Sequence, residues 1–295
     1  MTAGTRSSRR AATADPRGTR PLRHGASRRR LSNLVALASG KGGVGKTWLA
    51  VTLAQICARK GENVLLFDGD LGLANIDIQL GVHPRHDLGE VLHGRRRLSE
   101  AVTTFEEGPF DLVAGASGSG SLAGLTPARL VALADEVTAL AGQYDRVVLD
   151  LPAGLEANVQ MLSDLAGLNL VVTGEEPTAL TDAYAFIKTI AARDPRADIR
   201  VVVNRARSPQ TGRLAYDKLN RACAAFLKLS PRLAAIIHED PNVAEAIRRQ
   251  QGLIQRHPGT VAVMDVELLR AGLLATPPGA APQPLPAAPG PAPVG

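Results

Sequence analysis

Short apolar runs alternate with longer amphipathic ones along most of this chain, the rhythm of βαβ units built around a parallel sheet. Seven runs have the length and composition of buried strands: residues 34–38, 63–67, 110–114, 146–149, 168–173, 199–203 and 233–237. After the first, Leu49, Leu53, Ile56 and Cys57 recur at helical spacing, which places Thr52, Gln55 and Arg59 on an opposite, polar side. Thr126 and Pro127 supply an N-cap and a first-turn proline for a helix through about Ala141. Residues 181–192, 212–227 and 242–251 read as further helices. Residues 261–275 read as a helix docked on the core, because Asp265 and Glu267 against one Arg270 suit an anionic lipid surface poorly. No internal repeat is present. The pattern predicts an α/β fold with a doubly wound, mostly parallel sheet, whose ligands bind beyond the carboxyl ends of the strands.

Composition narrows the class. With 45% hydrophobic and 21% charged residues the 295-residue chain has the balance of an ordinary globule, and no apolar run reaches the roughly 18 residues of a membrane span. Two cysteines, Cys57 and Cys223, are too few for a disulfide framework or a Cys-rich metal or iron–sulfur site within one subunit, and a reducing cytoplasm is the simplest setting. The net charge of +6 is unevenly placed. Residues 1–30 hold nine arginines and one acid, for +8, so the remaining chain carries −2. Residues 276–295 hold eight prolines and no charge. Neither end has the apolar content to offset the entropy of ordering, so disordered tails at 1–30 and 276–295 are expected to flank a domain at 31–275. The leading segment lacks the apolar core of a secretory signal.

Three motifs carry chemistry. Gly40-Lys41-Gly42-Gly43-Val44-Gly45-Lys46-Thr47 matches G-x-x-x-x-G-K-[ST], with a strand before it and an amphipathic helix after it. The glycines let successive N–H groups curl toward a phosphate at a helix N-terminus, Lys46 can bridge β- and γ-phosphate oxygens, and the Thr47 hydroxyl can ligate Mg²⁺. Next, Asp68 and Asp70 follow the second strand at i and i+2, sharing one face of an extended chain on the Lys46 side. Such acids are costly if buried alone and sensible around a Mg²⁺–phosphate centre. A calcium loop fits them poorly, since its glycine and terminal glutamate are missing. Third, Asp150 ends an apolar strand as a Walker B acid does, and Asn204 ends another, with an amide able to meet a purine edge.

The KGGVGKT loop, with its lysine directly after the first glycine, resembles the deviant Walker ATPases of the MinD/ParA family. DLGLAN-x-D at 70–77 and EPT-x-LTDAYA-x-IK at 176–188 are similar to the flagellar-number regulators of that class, the FlhG (FleN) group. The similarity runs from about Leu34 to Gln251. It implies the P-loop NTPase fold of the MinD/ParA (SIMIBI) class, ATP and Mg²⁺ as ligands, and an ATP-dependent homodimer in which Lys41 reaches the nucleotide of the other subunit. It further implies that Asp68 supports the metal, that Asp70 positions the attacking water, that Asn75 and Asp77 lie in the first switch segment and Asp150-Leu151-Pro152-Ala153-Gly154 in the second, and that Asn204 reads adenine. Near His238 relatives often carry a proline whose backbone touches adenine. Trp48 replaces a small or polar residue able to touch the α-phosphate; its indole donates a hydrogen bond but accepts none, so the nucleotide contact implied for Trp48 is that of its backbone amide.

Partners implied by the resemblance are an SRP-type flagellar GTPase, a flagellar transcription regulator, switch-complex proteins or the inner face of the cell membrane, bound peripherally from the cytoplasm. No DQAxxLR-like element, which stimulates a partner GTPase in relatives, is found. A ParA-like DNA- or cargo-partitioning ATPase is the competing class, supported by the Arg-rich tail and opposed by a slightly acidic body without a DNA-reading motif. A tyrosine kinase on the same core expects a tyrosine-rich terminus, whereas Tyr144, Tyr184 and Tyr216 all lie in the body.

Overall fold

Along the first strand, Leu34, Ala36 and Ala38 face one hydrophobic layer while Val35 and Leu37 face another, all five fully buried. A strand apolar on both faces demands cover on both, and the rest of the fold supplies it. The computed structural model describes residues 30–70, 75–115 and 126–275. The two tails expected to be disordered, except Arg30, and residues 71–74 of the acidic segment lie outside the described residues.

The sheet comprises β1 (Leu31–Ser39), β2 (Val64–Asp68), β3 (Val102–Phe105), β4 (Phe110–Val113), β5 (Arg146–Ala153), β6 (Ala166–Thr173), β7 (Ile199–Ala206) and β8 (Arg232–His238). Their spatial order is β3-β4-β2-β5-β1-β6-β7-β8, with every pair parallel except β3–β4. The chain starts at a central strand and winds first one way, then the other, as a doubly wound sheet does. On one face lie α1 (Lys46–Arg59), α2 (Ile76–Leu80), α8 (Pro241–Arg248), α9 (Leu253–Arg256) and α10 (Val261–Ala275). On the other lie α3 (Leu88–Leu92), α4 (Pro127–Ala141), α5 (Ala157–Leu165), α6 (Pro177–Arg193) and α7 (Pro209–Leu227).

All seven expected strands are present, with three instructive differences. β3 was not expected; its four residues form an antiparallel edge hairpin with β4, too short to show alternation. β5 and β7 run beyond the expected ends, so Asp150 and Asn204 sit inside strands rather than at their ends. Pro152 is tolerated within β5 where the β1–β5 register shifts between Leu37 and Ser39. Helix α6 starts at Pro177, α7 at Pro209 and α8 at Pro241, each a turn or less before the apolar periodicity, because proline suits the first helical turn.

The polar side assigned to α1 is the clearest correction. Arg59 is exposed, but Thr52 and Gln55 are buried at 1% exposure, because α9 and α10 cover that side of the helix. Helix α10 docks on the core as expected. Ala262, Val266 and Leu269 are buried, Asp265 accepts hydrogen bonds from the His238 backbone and ring (2.8 Å each), and Arg270 pairs with Glu62, which also holds Arg146. Among the described residues no helix is long and apolar enough to cross a membrane. Arg30, assigned to the tail, bonds Asp194 and the Ala166 carbonyl.

If α10 is core, Leu269→Ala, at a site 1% exposed, leaves a cavity between α1 and α10. The expected loss is about 2–4 kcal/mol in urea denaturation; a loss below about 0.5 kcal/mol would show α10 to be dispensable cladding.

Candidate nucleotide site

Strand β1 delivers the chain to Gly40 at the carboxyl edge of the sheet, and residues 40–45 turn back into α1. Two glycines are dictated by geometry. A Cβ on Gly40 would collide with the backbone carbonyl of Asp182 on α6, so the loop is pressed against that helix. Gly45 is the N-cap of α1 with φ 85°, a left-handed conformation that side chains resist. The first N–H groups of α1 have no partner within the helix and form the positive end of its dipole. Thr47, half-buried, stands in this first turn.

Lys46 is buried, and its Nζ donates to Asp150 Oδ1 at 2.9 Å. Asp150 is the register partner of Asp68 across the parallel β2–β5 pair, so two carboxylates, each 1% exposed, stand side by side at the centre of the sheet. Asp68 accepts backbone N–H bonds from Asp70 (3.0 Å), Asn75 (3.2 Å) and Ile76 (3.3 Å). Burial and the neighbouring Asp150 charge nevertheless push its carboxyl up to about 7. Asp70 is half-buried two residues further on.

Beside the loop lies a cleft of about 130 Å³ bordered by Lys41, Gly42, Gly43, Val44, Glu176 and Asn204. Lys41 is exposed, and its Nζ donates to Thr178 Oγ1 of α6 at 3.1 Å. Asn204 is fully buried; its Nδ2 donates to the Val44 carbonyl at 2.7 Å, while Oδ1 has no partner among the described residues. Trp48 folds back against Gly45. Asn75 occupies the N-cap position of α2 without a side-chain cap bond, and Asp77 in its first turn has a buried Oδ1 with no partner among the described residues.

The residues fit a magnesium nucleotide. Two buried acids face one buried lysine, leaving a formal negative charge for a divalent cation to balance. The Asn204 oxygen is an acceptor waiting for a donor such as a purine amine. The fold thus brings together Lys46, Thr47, Asp68, Asp70 and Asp150, with Lys41 and Asn204 on the adjoining cleft. The sequence reading missed Thr178, Glu176 and Asp182 as neighbours of the loop. Their signal was the EPT-x-LTDAYA stretch, which by periodicity alone is only a capped helix.

A family model described as the CobQ/CobB/MinD/ParA nucleotide binding domain matches residues 35–254. The chain belongs to this family. Among its relatives is the antiactivator FleN of Pseudomonas aeruginosa, 35% identical over 78% of this chain and 81% of that protein. The flagellum site-determining protein YlxH of Helicobacter pylori is 32% identical over 64% of this chain and 63% of that protein. In a solved MinC:MinD cell division complex from Aquifex aeolicus, one chain matches with a TM-score of 0.69 and 25% identity, over 82% of this chain and 96% of its own length. The MinD/ParA fold expected from the sequence is therefore the fold observed.

Because the Gly40 collision is with backbone, Gly40→Ala has to shift either the loop or α6. Affinity for Mg²⁺·ADP is expected to fall about tenfold or more with secondary structure intact. Parent-like affinity in calorimetry would contradict the loop–α6 packing as a requirement for binding.

Proposed function

We propose that this chain is an ATP-dependent dimerisation switch of the MinD class that regulates the number or placement of flagella. The observation that carries the chemistry is the buried Lys46–Asp150–Asp68 row at the start of α1, which a magnesium nucleotide would complete. The flagellar part rests on the relatives, one of them named for determining flagellum sites.

In this reading residues 31–275 are the ATPase domain between two tails. The loop from Gly40 through Gly45 wraps the phosphates with its N–H groups, and Lys46 exchanges Asp150 for β- and γ-phosphate oxygens. Thr47, Asp68 and Asp150 would hold Mg²⁺, which would supply positive charge against the phosphates. Asp70 would orient the attacking water, a role supported by its nearness to Asp68, whose Oδ1 accepts the Asp70 backbone N–H. Asn204 accepts a hydrogen bond from adenine. Lys41 leaves Thr178 and contacts the nucleotide of a second subunit, so that ATP bridges the dimer and slow hydrolysis releases it. The output is binding: an SRP-type flagellar GTPase, a flagellar transcription regulator, switch-complex proteins or the membrane, with the protein cytoplasmic or peripheral at the membrane's inner face. Nucleic acid is the less favoured partner.

Asp70→Ala is the sharpest test. It keeps Lys46, Thr47, Asp68 and Asp150, so ATP binding should persist while phosphate release slows by about tenfold or more. Light scattering should then show a longer-lived dimer, which Lys41→Ala in the same chain should dissolve. A variant that stays monomeric in saturating ATP, or turns over at the parent rate, overturns the switch.

A further inference from the structure

Trp48 is the feature that the reading above leaves without a role. It is the only tryptophan in the chain, lies in the first turn of α1 and is 6% exposed. Long helical side chains lean back toward the helix N-terminus, so the ring meets the residue three positions earlier, Gly45. A Cβ on Gly45 would strike two groups, the Asn204 amide nitrogen and the Trp48 indole nitrogen. The indole and the amide therefore share the bare α-carbon of Gly45, side by side.

That arrangement fixes one amide orientation. Nδ2 of Asn204 donates to the Val44 carbonyl at 2.7 Å, and the opposite orientation would set two carbonyl oxygens against each other. The Nε1–Cδ1 edge of the indole stands over Gly45 beside that amide nitrogen, walling the side of the amide away from the Val44 carbonyl. The half of the amide left for a ligand is then Oδ1, buried and without a partner among the described residues, in a side chain that lines the cleft. An acceptor fixed there favours a base that donates, such as a 6-aminopurine, over a 6-oxopurine that presents another acceptor.

We propose that Trp48 is a specificity-determining positioning residue, whose ring on Gly45 holds the Asn204 amide with its carbonyl toward the nucleotide base. The inference rests on the assignment of Asn204 as the base contact. It assigns the ring's flat bulk, rather than its N–H, as the functional element.

The test measures binding of AMP-PNP and GMP-PNP to the full chain by calorimetry in Mg²⁺. The parent protein should prefer AMP-PNP. Trp48→Phe keeps a flat ring and should keep the preference within about threefold, whereas Trp48→Leu should reduce it about tenfold or more. Should Trp48→Leu fail to fold, judged by circular dichroism, Trp48→Met replaces it with the same expected loss. Asn204→Ala should abolish the preference, and adding Trp48→Leu to it should change the ratio no further. A parent-like ratio in Trp48→Leu beside a lost preference in Asn204→Ala overturns the role of Trp48 alone. A preserved preference in Asn204→Ala overturns the base-reading assignment itself. Equal losses in Trp48→Phe and Trp48→Leu would show that the indole N–H acts directly, against the positioning role.

Discussion

Two carboxylates held side by side in the middle of a parallel sheet are the constraint from which the rest of this site follows. Asp68 and Asp150 are register partners on β2 and β5, where both faces of the sheet are covered and water is excluded. Burial and the neighbouring Asp150 charge raise the Asp68 carboxyl to about 7, a kind of perturbation that clusters at functional sites. Lys46, the first residue of α1, pairs with Asp150 and so ties the start of that helix to the acid pair. Asp68 meanwhile accepts N–H bonds from Asp70, Asn75 and Ile76, so the segment after β2 is tied directly to the acid pair. A cation held by these acids would therefore act on the same carboxylate that accepts the Asp70 N–H.

The surroundings hold this row from two sides. On one face α6 presses the Asp182 backbone onto Gly40 and offers Thr178 to Lys41, so one helix end touches both the phosphate loop and the lysine proposed to cross to a second subunit. On the other face α10 backs α1. Its Asp265 grips His238 at the end of β8, and its Arg270 joins Glu62 and Arg146 near the far end of the sheet. Helix α1 is in consequence buried on nearly all sides.

The phosphate loop, the acids and the sheet class were legible because each is local: a glycine pattern, a carboxylate after an apolar run, a period of two or of 3.6. What was not legible depended on tertiary cover. Thr52 and Gln55 look like a solvent face until α9 and α10 close over them. Asp150 and Asn204 look like strand ends because the apolar runs stop there, whereas pairing with neighbouring strands carries β5 and β7 onward. Thr178 and Asp182 lie more than 130 positions after the loop they touch, and no spacing rule connects them. For Trp48 the residue type was visible, but its place over Gly45 beside Asn204 was not.

The claim that the acid pair is completed by a magnesium nucleotide is tested most directly by the melting temperature of the full chain with ADP in excess Mg²⁺ and with ADP in EDTA. Ligand at a hundredfold excess over its dissociation constant adds about 2.7 kcal/mol, so ADP with Mg²⁺ should raise the midpoint by several degrees. The rise with ADP in EDTA should be much smaller, because Asp68 and Asp150 then face the phosphates with no cation between them. Equal shifts in the two conditions would contradict the account.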